Sequence, residues 1–270
     1  MVVSYGVVPD QILTGPVSPL AERVSRNGFC VIDSGLNEIE VESVQAHFGE
    51  LQKAYIAKHG LTNLEVLGEE HMIRAPLTLG DRIFSEIALN PNVLELVSQL
   101  IQSRFYLSQQ NGVINPASQE YSQGRWHRDL PFQHWVISKP IAINALYCVD
   151  DFTEQNGATW VVPGSHKHAA FPTDSYIEEN SVQLEAKAGQ FLVLDCMLFH
   201  SGGQNTTQVA RRGLNHVYSV PLLSPQISIP HSMESSWMNE EQMELLGFKY
   251  QIPLSVEEFL AARTPSSRLS

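Results

Sequence analysis

The stretch QFLVLDCMLFH, residues 190–200, decides how this chain is read. It is almost wholly apolar, starts after the turn residue Gly189, and ends in a histidine before the polar run SGGQNTT (201–207). Such a pattern predicts an apolar strand that ends in His200 at its mouth. Working outward, FYLSQQNGVI (105–114), IAINALYCV (141–149), ATWVV (158–162), SVQLEA (181–186) and GLNHVYSV (213–220) are further short β-like runs. Turn signals at Asn156-Gly157, Pro163-Gly164 and Gly189 separate them. Many short strands without alternating helices predict an antiparallel sandwich or jelly roll and not a βαβ fold.

The first third has a different period. Asn37 and Glu40 are spaced as a capping box opening a helix to roughly residue 58, with Gly60 as its stop. Asn90 and Pro91 start a second helix, in which Val93, Leu94, Val97 and Ile101 share one face. SVEEFLAAR (255–263) is the clearest piece of a helical tail. No repeat or linker divides the chain, so one domain over residues 1–270 is expected.

Composition narrows the function. The formal net charge is −12, and no run of Lys and Arg offers a nucleic-acid footprint, so no nucleic-acid partner is expected. No apolar stretch approaches the ~18 residues of a membrane span. Cys30, Cys148 and Cys196 are odd in number, far apart and set in apolar runs, which reads as buried free thiols in a cytoplasmic protein. The oligomeric state is not legible.

Within Gly124–Leu130 lies His127-Arg128-Asp129. On a strand, residues two apart point to one side, so an imidazole and a carboxylate would face one point. Alone this is weak, because chance supplies His-x-Asp in roughly one chain in three of this composition. His200 completes a set of two histidines and one carboxylate, which leaves three positions of an octahedral ion open for a bidentate keto acid and dioxygen. Arg211 follows on the next predicted strand. A buried arginine needs an anion, and its fork matches a carboxylate, here the far one of 2-oxoglutarate. Strand alternation sends one of Arg211 and Arg212 outward, and Arg211 is taken as the inward one. Leu130, Phe132 and Trp135 either roof a substrate pocket or pack as ordinary core.

These residues, with WHRD (126–129), NGATWVVPGSH (156–166) and AGQFLVLDCMLFHSGGQNTTQVARRG (188–213), resemble the phytanoyl-CoA dioxygenase family. The similarity runs from LAERVSRNGFCVID (20–33) to RRGLNHVYSVP (211–221). The resemblance implies a double-stranded β-helix core with flanking N-terminal helices. It implies iron(II) held by His127, Asp129 and His200, and 2-oxoglutarate held by Arg211. It further implies hydroxylation of a C–H bond of a small-molecule substrate using O2, with formation of succinate and CO2. The hydroxyl residue many members carry two positions after the distal histidine is Gly202 here, and a common tryptophan is Leu146. Gln110 and Asn144 are therefore further candidates for the cosubstrate. His166 is expected to be structural, and Asn205 to close the turn after His200. Asp129 fills the position a halogenase leaves open. The competing reading is a metal-binding cupin without oxygenase activity, an isomerase or a binding module.

Overall fold

The computed structural model describes residues 18–119, 124–130 and 136–263. Phe132 and Trp135 lie outside the described residues. The chain opens with α1 (Pro19–Asn27), β1 (Phe29–Asp33), α2 (Glu38–His59), α3 (Leu61–Leu67), β2 (Met72–Arg74), α4 (Arg82–Ala88) and α5 (Pro91–Ile101). The core strands follow: β3 (Tyr106–Asn115), β4 (Ala142–Cys148) and β5 (Thr159–Val161). After α6 (Asp174–Asn180) come β6 (Val182–Leu184), β7 (Gln190–Asp195), β8 (His200–Gly202) and β9 (Arg211–Ser219). Two short helices, α7 (Glu240–Leu245) and α8 (Val256–Ala261), lie in the last part.

The helix boundaries follow local chemistry. Asn37 accepts from the Glu40 N–H while the Glu40 side chain accepts from the Asn37 N–H, so the capping box is complete, and Gly60 ends the helix. Asn90 accepts from the N–H groups of Asn92 and Val93, with Pro91 in the first helical position. β1 and β2 interrupt the region read as purely helical. They are five and three residues long, too short for a period to emerge.

The strands form two antiparallel sheets, ordered β1-β7-β4-β9-β3-β2 and β6-β5-β8. They make the expected double-stranded β-helix, and the space between them holds Leu192 and Leu194 of the large sheet with Val161 and Leu184 of the small one. The opposite face of the large sheet is just as dry. There Ile143, Ala145, Tyr147, Phe191, Val193, Leu214 and Tyr218 pack against Val24, Phe48, Phe84, Val93 and Val97 of the helices. The helices therefore cover the barrel's outer face. With apolar groups on both faces, these strands read as continuous apolar runs.

The run at 190–200 is not one strand. β7 stops at Asp195, whose Oδ1 accepts from the Met197 N–H at 2.9 Å, and the Leu198 N–H donates to the Asp195 carbonyl at 2.8 Å. This tight turn carries the chain from the large sheet into the small one, so His200 begins β8 and does not end β7. Composition hides the corner because Cys196, Met197, Leu198 and Phe199 are all buried within it.

Candidate active site

That corner delivers His200 to the barrel interior, where it meets the segment after residue 124. His127 forms a two-way backbone bridge with His200, its N–H at 2.9 Å from the His200 carbonyl and the return bond at 3.0 Å. Asp129 follows in no regular strand, anchored by its N–H on the Cys196 carbonyl at 3.0 Å. The expected same-side geometry arises, but from these anchors and not from a continuous ladder.

Both imidazoles are oriented by their own backbone. His127 Nδ1 lies 2.6 Å from the Arg125 carbonyl and His200 Nδ1 lies 2.9 Å from the Leu198 carbonyl. A carbonyl only accepts, so each Nδ1 carries the proton and each Nε2 presents a lone pair. Those Nε2 atoms face Asp129 Oδ1 at 4.0 Å and 3.6 Å. All three ligand atoms lie within 4.8 Å of one another. Burial, and then the neighbouring His200, hold His127 below the usual histidine range, against the opposing pull of Asp129. A neutral imidazole is the form a metal needs. Two imidazole nitrogens and one carboxylate, preoriented and converging, fit a divalent transition metal with open positions.

Arg211 lines the same cavity as the three ligands, with Val113, Asn144, Leu146, Thr159, Leu194, Gly202 and Asn215. The residue is 2% exposed, and its guanidinium lies over the Phe152 ring at 3.9 Å and donates to the Gly157 carbonyl at 3.0 Å. Strand alternation turns Arg212 outward, where it pairs with Asp150 at 2.7 Å beside Gln45 of α2. The parity expected for the Arg pair holds.

The other two cosubstrate candidates separate. Asn144 is in the cavity, but its Nδ2 donates to Asp129 Oδ2 at 2.7 Å. Gln110 is not: β3 turns it to the helical side, where its amide accepts from the Leu77 N–H, donates to the Phe84 carbonyl and meets His216 at 2.9 Å. With its donors and acceptor engaged away from the cavity, Gln110 is a clamp between sheet and helices. His166 is likewise buried apart from the ligands, bonded to the Ser25 carbonyl. Asn205 closes its turn on Thr207 and Val209 and ties it to Asn115. The three cysteines are buried and free.

Two residues escaped the sequence reading. Asn215 shares the inward parity of Arg211 four positions on, which was the signal available. Arg128, between two ligands, turns away and donates to the carbonyls of Ser165, His168 and Ala169, pinning that loop behind the site. Its sequence position gave no sign of those partners.

Comparison with known proteins gives the family and the fold. The family model for phytanoyl-CoA dioxygenase matches residues 24–213. The uncharacterised protein Rv1501 of Mycobacterium tuberculosis is 28% identical over 251 residues, covering 90% of each chain. The dioxygenase olcK of Penicillium canescens is 27% identical over 242 residues, covering 82% of this chain and 77% of its own. Among solved structures, EctD from S. alaskensis with 2-oxoglutarate and 5-hydroxyectoine superposes with a TM-score of 0.64 at 22% identity, covering 78% of each chain. The ThoJ–Ni complex, a non-heme monooxygenase, gives 0.59 at 24% identity, over 77% of this chain and 80% of its own. No described helix is long and apolar enough to cross a membrane. By the span of the family match and the fold that carries its motifs, this chain belongs to the phytanoyl-CoA dioxygenase family.

Proposed function

We propose that this enzyme is an iron(II)- and 2-oxoglutarate-dependent dioxygenase that hydroxylates a C–H bond of a small-molecule substrate. The overall change is substrate C–H plus 2-oxoglutarate plus O2 to substrate C–OH plus succinate plus CO2. His127, Asp129 and His200 are the metal ligands in this reading, and Arg211 anchors the keto acid. The observation that carries it is the convergence of two Nε2 lone pairs and one carboxylate oxygen in a cavity that also contains a buried arginine.

When bound, iron(II) supplies a redox centre at which the keto acid and dioxygen can react. The protein's part is placement. The Arg125 and Leu198 carbonyls keep both imidazoles in the Nε2-ligating tautomer. Arg211 offers a charged fork in a dry site, where its attraction for a carboxylate is little screened. Leu146, Leu194 and Val113 are the apolar walls that limit water beside the reacting groups. Arg211 also argues against a cupin without oxygenase chemistry, which has no keto acid to anchor. The net charge of −12 favours a small substrate over nucleic acid.

The test is anaerobic titration of the iron(II)-loaded protein with 2-oxoglutarate, followed by turnover against panels of metabolites and peptides. A visible charge-transfer band on adding the keto acid is expected, lost in His200→Ala. Its absence from the wild type, or succinate formation coupled only to peptides, would overturn the reading.

A further inference from the structure

Of the three proposed ligands, Asp129 is the least able to fix its own geometry. Each imidazole offers one lone pair and is already oriented by a backbone carbonyl. A carboxylate has two oxygens and a soft terminal torsion, so it can hold an ion through one oxygen or through both. Whatever restricts it must come from its neighbours. Its main chain is held on the Cys196 carbonyl at 3.0 Å. Its far oxygen, Oδ2, accepts from Asn144 Nδ2 at 2.7 Å, while Oδ1 is the oxygen that faces both histidine Nε2 atoms.

Asn144 is built for that task. It sits in the middle of β4, paired with Leu194 on one side and Val217 on the other, so its backbone cannot drift. It is 2% exposed, which leaves little access for a water to replace the bond. A carboxylate only accepts, so the amide orientation is settled: nitrogen toward Asp129, oxygen away. That oxygen has no hydrogen-bond partner among the described residues. The side chain is thus committed through its donor alone.

We propose that Asn144 is a positioning residue that holds Asp129 as a one-oxygen ligand and so keeps the ion's remaining positions open. This inference rests on the assignment of His127, Asp129 and His200 as the metal site. Without the donor, Asp129 can rotate and engage the ion through both oxygens, or turn off it.

The experiment uses the full-length protein and cobalt(II), without 2-oxoglutarate or substrate. Wild type, His200→Ala, Asn144→Leu and Asn144→Ser are compared by calorimetric cobalt titration and by visible absorption of the bound ion. Leucine keeps the branching of asparagine without its donor. Serine is smaller, introduces no clash and is too short to reach Asp129, so it serves if the leucine variant fails to fold. Loss of an outer partner of this kind typically weakens metal binding about 10- to 100-fold. We expect a loss in that range for both Asn144 variants, with an altered cobalt spectrum and with the metal-free melting temperature close to wild type. Affinity within about twofold of wild type and an unchanged spectrum would overturn the inference while leaving the metal site standing. Cobalt binding unaffected by His200→Ala, or no cobalt binding by the wild type, would overturn both.

Discussion

Replacing Arg211 by alanine should damage 2-oxoglutarate binding far more than the same change at Arg212, its neighbour of equal charge. The magnitude follows from where each guanidinium sits. Arg211 is 2% exposed, lies over the Phe152 ring at 3.9 Å, and lines the cavity of His127, Asp129 and His200. Truncating one partner of a buried, hydrogen-bonded charge pair typically costs about 2–5 kcal/mol. At about 1.4 kcal/mol per tenfold, that is a rise in Kd of roughly 30-fold to several-thousand-fold. Arg212 instead grips Asp150 through two parallel hydrogen bonds of 2.9 and 2.7 Å on the helical side of the sheet, so its loss costs stability and nothing in cosubstrate affinity. Arg211→Lys should fall between, since it keeps the charge and loses the fork. The assay is anaerobic titration of 2-oxoglutarate into each iron(II)-loaded variant, after its melting temperature has shown it to be folded. Equal effects, or a larger effect at Arg212, would refute both the inward parity of Arg211 and its role.

His127→Ala and His200→Ala should each abolish metal-dependent turnover with the fold retained, and Asp129→Gly should do the same; normal turnover in any of them, measured with iron content and a melting curve, would remove that residue from the ligand set. Gly157→Ala should lower the melting temperature by about 5–15 °C, because φ is +77° and a Cβ there would press on the Gly203 carbonyl and the Asn115 amide. Gly68→Ala, at φ +68° with open space around it, should cost only about 1–2 kcal/mol and a correspondingly small shift. Acid should destabilise the metal-free protein through His216, which is fully buried and held down to about 4 from 6.5 by that burial. Between those values the unfolded chain binds a proton that the native one refuses, so stability falls as pH drops from about 6.5 to 4, by up to about 1.4 kcal/mol per pH unit. Melting curves across that window should show the slope reduced in His216→Gln, and an unchanged slope would locate the acid sensitivity elsewhere.

The sequence by itself determined whatever depends on neighbours along the chain. The capping box at Asn37 and Glu40, the Asn90-Pro91 start and the turns at Gly157, Gly164 and Gly189 are local hydrogen bonds and local torsions, and each is found where expected. His127, Asp129, His200 and Arg211 were singled out by residue type and order, and the structure brings these four to one cavity. The tertiary structure decided which way the long strands face. β3, β4 and β7 are buried on both sides, so no alternation of polar and apolar residues marks the interior. Gln110 therefore looked as eligible as Asn144, until packing put one against Phe84 and the other against Asp129. The same double burial hid the corner at Asp195, where an unbroken apolar run crosses from one sheet to the other. Its turn is closed by a carboxylate whose role appears only once the two sheets are stacked.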